Sequence, residues 1–104
     1  MAISSEIIIQ SKQYANEAKQ LFPIRKAVLF GSYAKGCATN HSDVDICFFL
    51  DDYDDGEYIN IMKKLFLLAY GYEAPFEPVI FTISDLYTDN PFVKEIVRTG
   101  IDIL

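Results

Sequence analysis

Asp43 and Asp45 are the residues of this 104-residue chain whose type and spacing first point to chemistry. They open an apolar run, so on a strand they sit two apart, side chains on one face and Cα atoms roughly 6.5 Å apart. Two carboxylates placed this way repel, and one pKa rises unless a cation neutralises both. Hard divalent ions take oxygen ligands, and Mg²⁺ commonly binds one or two carboxylates together with substrate phosphate oxygens. An Asp-x-Asp at the exposed end of a strand is therefore a platform for a metal and a phosphate. Ahead of it stands Gly31-Ser32. A glycine where a strand stops, followed by a serine opening a helical turn, leaves backbone N–H groups and a hydroxyl facing one spot. Without a side chain there, a phosphate can come close. Each signal alone is weak. Ten residues separate Ser32 from Asp43, and the two signals at that spacing should coincide by chance in roughly one such chain in a thousand.

Gly31-Ser32, ten residues, then Asp43-Val44-Asp45 resembles the signature of the DNA polymerase β-type nucleotidyltransferase superfamily. The surrounding Gly31-Ser32-Tyr33-Ala34-Lys35-Gly36 and Ser42-Asp43-Val44-Asp45-Ile46 are similar to its minimal members, the MNT domains. The likeness extends to the leading helix, the strand before Gly31 and the ending Asn90-Pro91-Phe92 with Arg98-Thr99-Gly100-Ile101. Many such minimal domains act as antitoxins beside a helical HEPN-type toxin, a ribonuclease, and inactivate it by moving AMP from ATP onto one of its tyrosines. The resemblance implies a third carboxylate on the next strand. Glu77, just before Val79-Ile80-Phe81, is the candidate, with Glu73 as its rival and Asp85 behind both. Pro78 follows Glu77 at once, and the family more often has Asp at this position. Lys35 stands where the family commonly has Arg, which replaces a forked phosphate contact by a point charge.

The roles implied are then specific. Asp43, Asp45 and Glu77 hold two Mg²⁺ ions roughly 4 Å apart, and Glu77 takes the proton of the acceptor hydroxyl. Gly31, Ser32 and Lys35 bind the β- and γ-phosphates of ATP, and Ser42 either bonds a phosphate or sets the turn. Attack at the α-phosphorus releases pyrophosphate. Two other readings stand beside this one. An antitoxin with a vestigial site blocks its toxin by contact alone. Transfer to a small molecule such as an aminoglycoside needs an extra domain to hold the acceptor, and one domain of this length has no room for it.

Positioning those residues takes strands between helices. Residues 5–22 carry Ile8, Ala15, Ala18, Leu21 and Phe22 on a helical face that Pro23 ends. Residues 24–30 read as a buried strand stopped by Gly31, and residues 32–35 as one helical turn that Gly36 leaves in a left-handed conformation. A second strand follows over 44–50. The helix over 58–70 buries Tyr58, Ile61, Met62, Leu65, Leu68 and Ala69. It also carries Ile59, Phe66 and Leu67 off that stripe, an excess that fits a partner surface, self-association or burial on two sides. The strand over 76–82 contains Pro78 and belongs at an edge or a bulge. Residues 84–86 form a short turn or helix. Asn90 caps a last helix with Pro91 at its first position, turning Phe92, Val93, Ile96 and Val97 inward, and Ile101 to Leu104 dock as an extended tail. The order αβ(α)βαβα predicts an α/β (α+β) nucleotidyltransferase fold, a short mixed sheet of three strands with helices mainly on one side.

Composition narrows the rest. With 51% hydrophobic and 23% charged residues the chain is an ordinary single globular domain, hiding roughly two-thirds of its unfolded surface. A net charge of −6 argues against a broad basic face for duplex nucleic acid. Neither a signal peptide nor a membrane span is expected, and Cys37 and Cys47 make no Cys-x-x-Cys pair, so the expectation is cytoplasmic and reduced. Asn40-His41-Ser42 matches a glycosylation pattern that matters only on secretion. Gly31 to Gly36 matches half a P-loop, but Cys37 and Ala38 stand where Lys and Ser or Thr are needed. The acidic residues 51–57 are no EF-hand, with Tyr53 at the third ligand position and Met62 at the twelfth. His41, the one histidine, has no nucleophile motif around it.

Overall fold

The computed structural model describes residues 5–39 and 41–104. Residues 1–4, read above against a signal peptide, and Asn40 of the glycosylation pattern lie outside them. The elements are α1 (Ser5–Leu21), β1 (Ile24–Phe30), β2 (Val44–Leu50), α2 (Asp55–Ala69), β3 (Phe76–Thr82), a 3₁₀ helix (Ile83–Tyr87), α3 (Pro91–Thr99) and β4 (Ile101–Asp102). The sheet order is β3-β2-β1-β4, so the chain's end supplies a fourth strand beyond the three expected. β1 runs antiparallel to β2 and to β4, whereas β2 and β3 are parallel and α2 makes the crossover between them. β3 is an edge strand, which is where Pro78, lacking an N–H, costs no ladder bond.

Alternation along β2 sends Val44, Ile46, Phe48 and Leu50 to one face, against Tyr14, Ala15 and Ala18 of α1 and Ile61, Leu65 and Ala69 of α2. Cys47 and Phe49 face the other way, onto Val28 of β1 and Val93 and Ile96 of α3. Helices therefore cover both faces, the larger core beneath α1 and α2 and a smaller one beneath α3. A bulge between Ile24 and Lys26 explains why Ile24 and Ala27, three apart, enter the same core.

Three helical faces depart from expectation. On α1 the buried stripe is Gln10, Ser11, Tyr14, Ala15 and Ala18, while Leu21 is exposed. Tyr14 is wholly buried because its hydroxyl donates to the Leu65 carbonyl at 2.8 Å, and its ring stacks on Phe76 with centroids 4.6 Å apart. α2 begins three residues before the expected start, since Glu57 reaches back to accept the Asp54 N–H at 3.1 Å and acidic residues suit a helix N-terminus; Tyr58 on it is exposed. On α3 the Asn90 side chain accepts from the N–H groups of Phe92 and Val93, as the cap requires. Only Val93 and Ile96 are buried, however, and Phe92 and Val97 remain 49% and 44% exposed. Nine residues over a narrow sheet bury one stripe, not two.

Tyr14→Phe removes a hydrogen bond and no volume from this core. It is expected to cost about 1 kcal/mol, read as a melting temperature lower by ~4–8 °C.

Candidate active site

The parallel pairing of β2 with β3 sets Asp45 directly beside Glu77. On the other flank β1 pairs Phe30 with Asp45, so the chain turns at Gly31 against that same carboxylate. Gly31 has φ +77°, and a β-carbon there would overlap Asp45 Oδ2. One end of three adjacent strands thus gathers Gly31, Asp43, Asp45 and Glu77. The Val44 N–H donates to the Pro75 carbonyl at 2.9 Å, tying the start of β2 to the segment that enters β3.

Electrostatics follow from this crowding. Burial, then the charge of Asp43, raises the pKa of Asp45. Glu77, though exposed, is raised too, first by hydrogen bonding with Asp43, then by slight desolvation and by the charges of Asp43 and Asp45. No ion pair among the described residues reaches any of the three. An all-oxygen donor set of mutually repelling carboxylates suits a hard divalent cation. Even so, no three His, Cys, Asp or Glu side chains among the described residues close around a common metal-binding point.

The turn after β1 is built like a helix end. The Lys35 N–H donates to the Gly31 carbonyl at 3.1 Å, Cys37 N–H to Ser32 at 3.0 Å and Gly36 N–H to Tyr33 at 3.3 Å, with Gly36 at φ +75°. That is the double closure of a Schellman exit, which needs the left-handed residue glycine supplies. Among the described residues the N–H groups of Ser32, Tyr33 and Ala34 find no backbone carbonyl. Lys35 is half-exposed and its Nζ lies 3.6 Å from Glu95 on α3. Arg98, at 2.8 Å, together with Lys35 holds the Glu95 carboxyl below its usual range. Ser42 Oγ accepts the Thr39 N–H at 2.8 Å, which is its turn-setting role.

Glu73 and Glu77 both line a cavity of about 350 Å³ that opens beside Asp43. Only Glu77 stands in register with Asp45. Asp85 is elsewhere, past the far end of β3, where its carboxylate accepts the Thr82 N–H at 2.9 Å and starts the 3₁₀ helix. His41 is exposed, and Cys37 and Cys47 are both free thiols. Burial pushes the Cys47 thiol up to about 12, with Asp85 adding to it, as befits a core residue. The cavity also takes Phe66, Tyr70, Tyr72 and Phe76. Sequence reasoning did not bring these to the site; the off-stripe position of Phe66 was the one sign available. No helix among the described residues is long and apolar enough to cross a membrane.

Fold and strand ends together define an α/β domain that sets a glycine–serine turn against strand-borne carboxylates. The polymerase beta nucleotidyltransferase family model matches residues 12–104, and the chain belongs to that family. It is 30% identical over 105 residues to a Methanocaldococcus jannaschii protein named "putative protein adenylyltransferase", covering 97% of each chain. Among solved structures it is similar to a "putative nucleotidyltransferase" from Sulfolobus solfataricus, with TM-score 0.59 and 19% identity over 93% of this chain and 82% of that one. A chain of a toxin–antitoxin crystallised with AMP-PNP gives TM-score 0.61 and 20% identity, covering 89% of this chain and 72% of the other.

Proposed function

We propose that the chain is a protein adenylyltransferase that moves AMP from ATP onto a hydroxyl of a partner protein, a tyrosine of a HEPN-type toxin, and so serves as its antitoxin. The observation that carries this reading is the juxtaposition of Gly31, Asp45 and Glu77 at one end of three neighbouring strands. The name of the Methanocaldococcus relative and the toxin–antitoxin likeness support the acceptor and the biological role.

In this reading the N–H groups at Ser32, Tyr33 and Ala34 hold the β- and γ-phosphates, and Lys35 adds a point charge once it leaves Glu95. Ser42 keeps the preceding loop in place. Asp43, Asp45 and Glu77 would hold Mg²⁺, which would supply charge neutralisation at the reacting phosphate and lower the pKa of the acceptor hydroxyl. The acceptor oxygen bonds to the α-phosphorus, the bond from that phosphorus to the β-phosphate's bridging oxygen breaks, and pyrophosphate leaves. Glu77 receives the acceptor's proton.

Carboxylates that do not close around one point favour a second reading, an antitoxin that acts by contact alone. Incubation with Mg²⁺ and α-labelled ATP in a lysate of the host separates them. Label is expected in one macromolecular band and is expected to vanish with Asp43→Asn combined with Asp45→Asn. Label in a small product points to a metabolite acceptor. No transfer with the toxin partner present leaves the contact-only antitoxin.

A further inference from the structure

We infer that Gln10 of α1 is a positioning residue for the carboxylate cluster, setting where Glu77 stands relative to Asp43 and Asp45 through the backbone that leads into β3. Its meaning for catalysis rests on the adenylyltransferase reading. Gln10 is only 8% exposed and shares the buried stripe of α1 with Tyr14, Ala15 and Ala18. An amide buried in such a face costs stability unless both of its ends find partners. Here both do: Oε1 accepts the Ala74 N–H at 3.0 Å, 64 residues away, and Nε2 donates to Glu6 at 3.0 Å. Ala74 is buried as well, and no backbone carbonyl among the described residues takes its N–H. Gln10 is the acceptor that lets the chain pass there.

From Ala74 the link to the site is one residue long. The carbonyl of Pro75 accepts the Val44 N–H at 2.9 Å, and Val44 lies between Asp43 and Asp45. Phe76 then opens β3 opposite Val44, and the next pair sets Glu77 beside Asp45. One side chain thus holds the joint from which β2 and β3 both enter the site. Parallel strands joined by a helical crossover have no tight turn to fix their pairing, and a slip of one residue would send Glu77 to the opposite face of the sheet. Two further contacts from the same side of α1 grip this segment: the Tyr14 ring stacks on Phe76, and Glu17 accepts the Tyr72 hydroxyl. A stacked ring can slide at little cost, whereas a hydrogen bond fixes length and direction. Gln10 therefore sets the position that the aromatic contacts only support. An error of about 1 Å at a catalytic group can cost roughly 100-fold in rate.

The test compares Gln10→Met, which keeps the length and loses the acceptor, with Tyr14→Phe, which weakens the same core and leaves the joint alone. Amide hydrogen exchange followed by NMR reads the joint, and binding of Mn²⁺ followed by electron paramagnetic resonance reads the carboxylates without turnover. In Gln10→Met the Val44 N–H is expected to exchange at least ~10-fold faster relative to the amides of β1, and Mn²⁺ to bind ~5–10-fold more weakly. Tyr14→Phe should speed exchange evenly and leave Mn²⁺ affinity within ~2-fold. Glu6→Gln combined with Gln10→Glu exchanges the two partners: the new amide donates to the new carboxylate, whose other oxygen accepts the Ala74 N–H. That pair should restore both readouts to within ~2-fold of wild type. Gln10→Asn, with its amide drawn back by one methylene, should show the same selective change and serves if Gln10→Met does not fold. Even exchange in the Gln10 variants, unchanged Mn²⁺ affinity, or failure of the exchanged pair to restore overturns the inference. Wild type that binds no Mn²⁺ defeats the adenylyltransferase reading instead, and the selectivity of exchange at Val44 then decides alone whether Gln10 sets the joint.

Discussion

Asp45→Asn is expected to lower AMP transfer at least ~100–1,000-fold, the size of effect seen when a group that stabilises developing charge is removed, and at the same time to raise the melting temperature at pH 7. Activity and stability oppose each other here because the carboxylate is held where folding disfavours its charge. Burial, then Asp43, raises its pKa in the folded state. An acid whose folded pKa lies above its unfolded value binds its proton more tightly in the fold, so its ionisation at neutral pH costs stability. The asparagine carries no charge to bury. With Asp45 still in contact with water, the gain is about 0.5 kcal/mol, or ~2–4 °C. The pH dependence fixes the cause. As pH falls through the raised folded pKa of Asp45, the wild type gains stability relative to the variant. Below the ordinary carboxylate value of 3.8 the two melt together. Calorimetry from pH 7 to pH 3 checks this, and a variant that melts lower than wild type at pH 7 would show that the carboxylate is held by favourable contacts instead. Added Mg²⁺ reads the same site without turnover. An ion that binds the folded state raises its stability by about 2.7 kcal/mol at a hundred times Kd, and Asp45→Asn should lose most of that rise.

How much of this was legible in the residues depended on whether the signal was local. Strand limits at 24–30, 44–50 and 76–82 match β1, β2 and β3 because Pro23, Gly31 and the buried apolar runs mark them within a few residues. Pro78 alone put β3 at an edge or a bulge, and the sheet order makes it the edge. Tyr14 was not legible as the centre of the larger core, since what allows its burial is a carbonyl 51 residues away. The early start of α2 was written in Asp54 and Glu57, but a run of five acids between 51 and 57 reads as a solvated loop until the reciprocal cap is recognised. Phe92 and Val97 followed the helical period correctly and still stayed half in water, because the sheet beneath α3 is too narrow to cover both flanks. At the site, the spacing of Gly31 and Asp45 carries information because antiparallel pairing converts it into contact. Glu77 owes its place beside Asp45 to parallel register across a helical crossover, which no short-range spacing encodes.

Gly31→Ala is the sharpest probe of that contact, and it is expected to remove both stability and nucleotide affinity. The new methyl meets two obstacles at once. A left-handed backbone costs a residue with a β-carbon roughly 1–2 kcal/mol, and Gly31 stands at φ +77°. The methyl also overlaps Asp45 Oδ2, so the carboxylate must swing away from the turn. Together they should cost at least about 2 kcal/mol, a melting temperature lower by ~10 °C. Gly100→Ala is the control for instability alone. Its backbone is at φ −83°, which alanine accepts, but a β-carbon there overlaps Val28 Cγ1 in the smaller core. Both variants should melt early, yet at a temperature where each is fully folded only Gly31→Ala should have lost ATP binding and transfer. Retained activity in folded Gly31→Ala would mean that the close approach of turn and carboxylate is not needed. Combining Gly31→Ala with Asp45→Ala supplies the decisive step. The overlap disappears with the carboxylate, so the double variant should recover part of the lost melting temperature, a coupling that residues not in contact would not show. Activity should stay absent, since the second substitution removes the very group whose place the glycine protects.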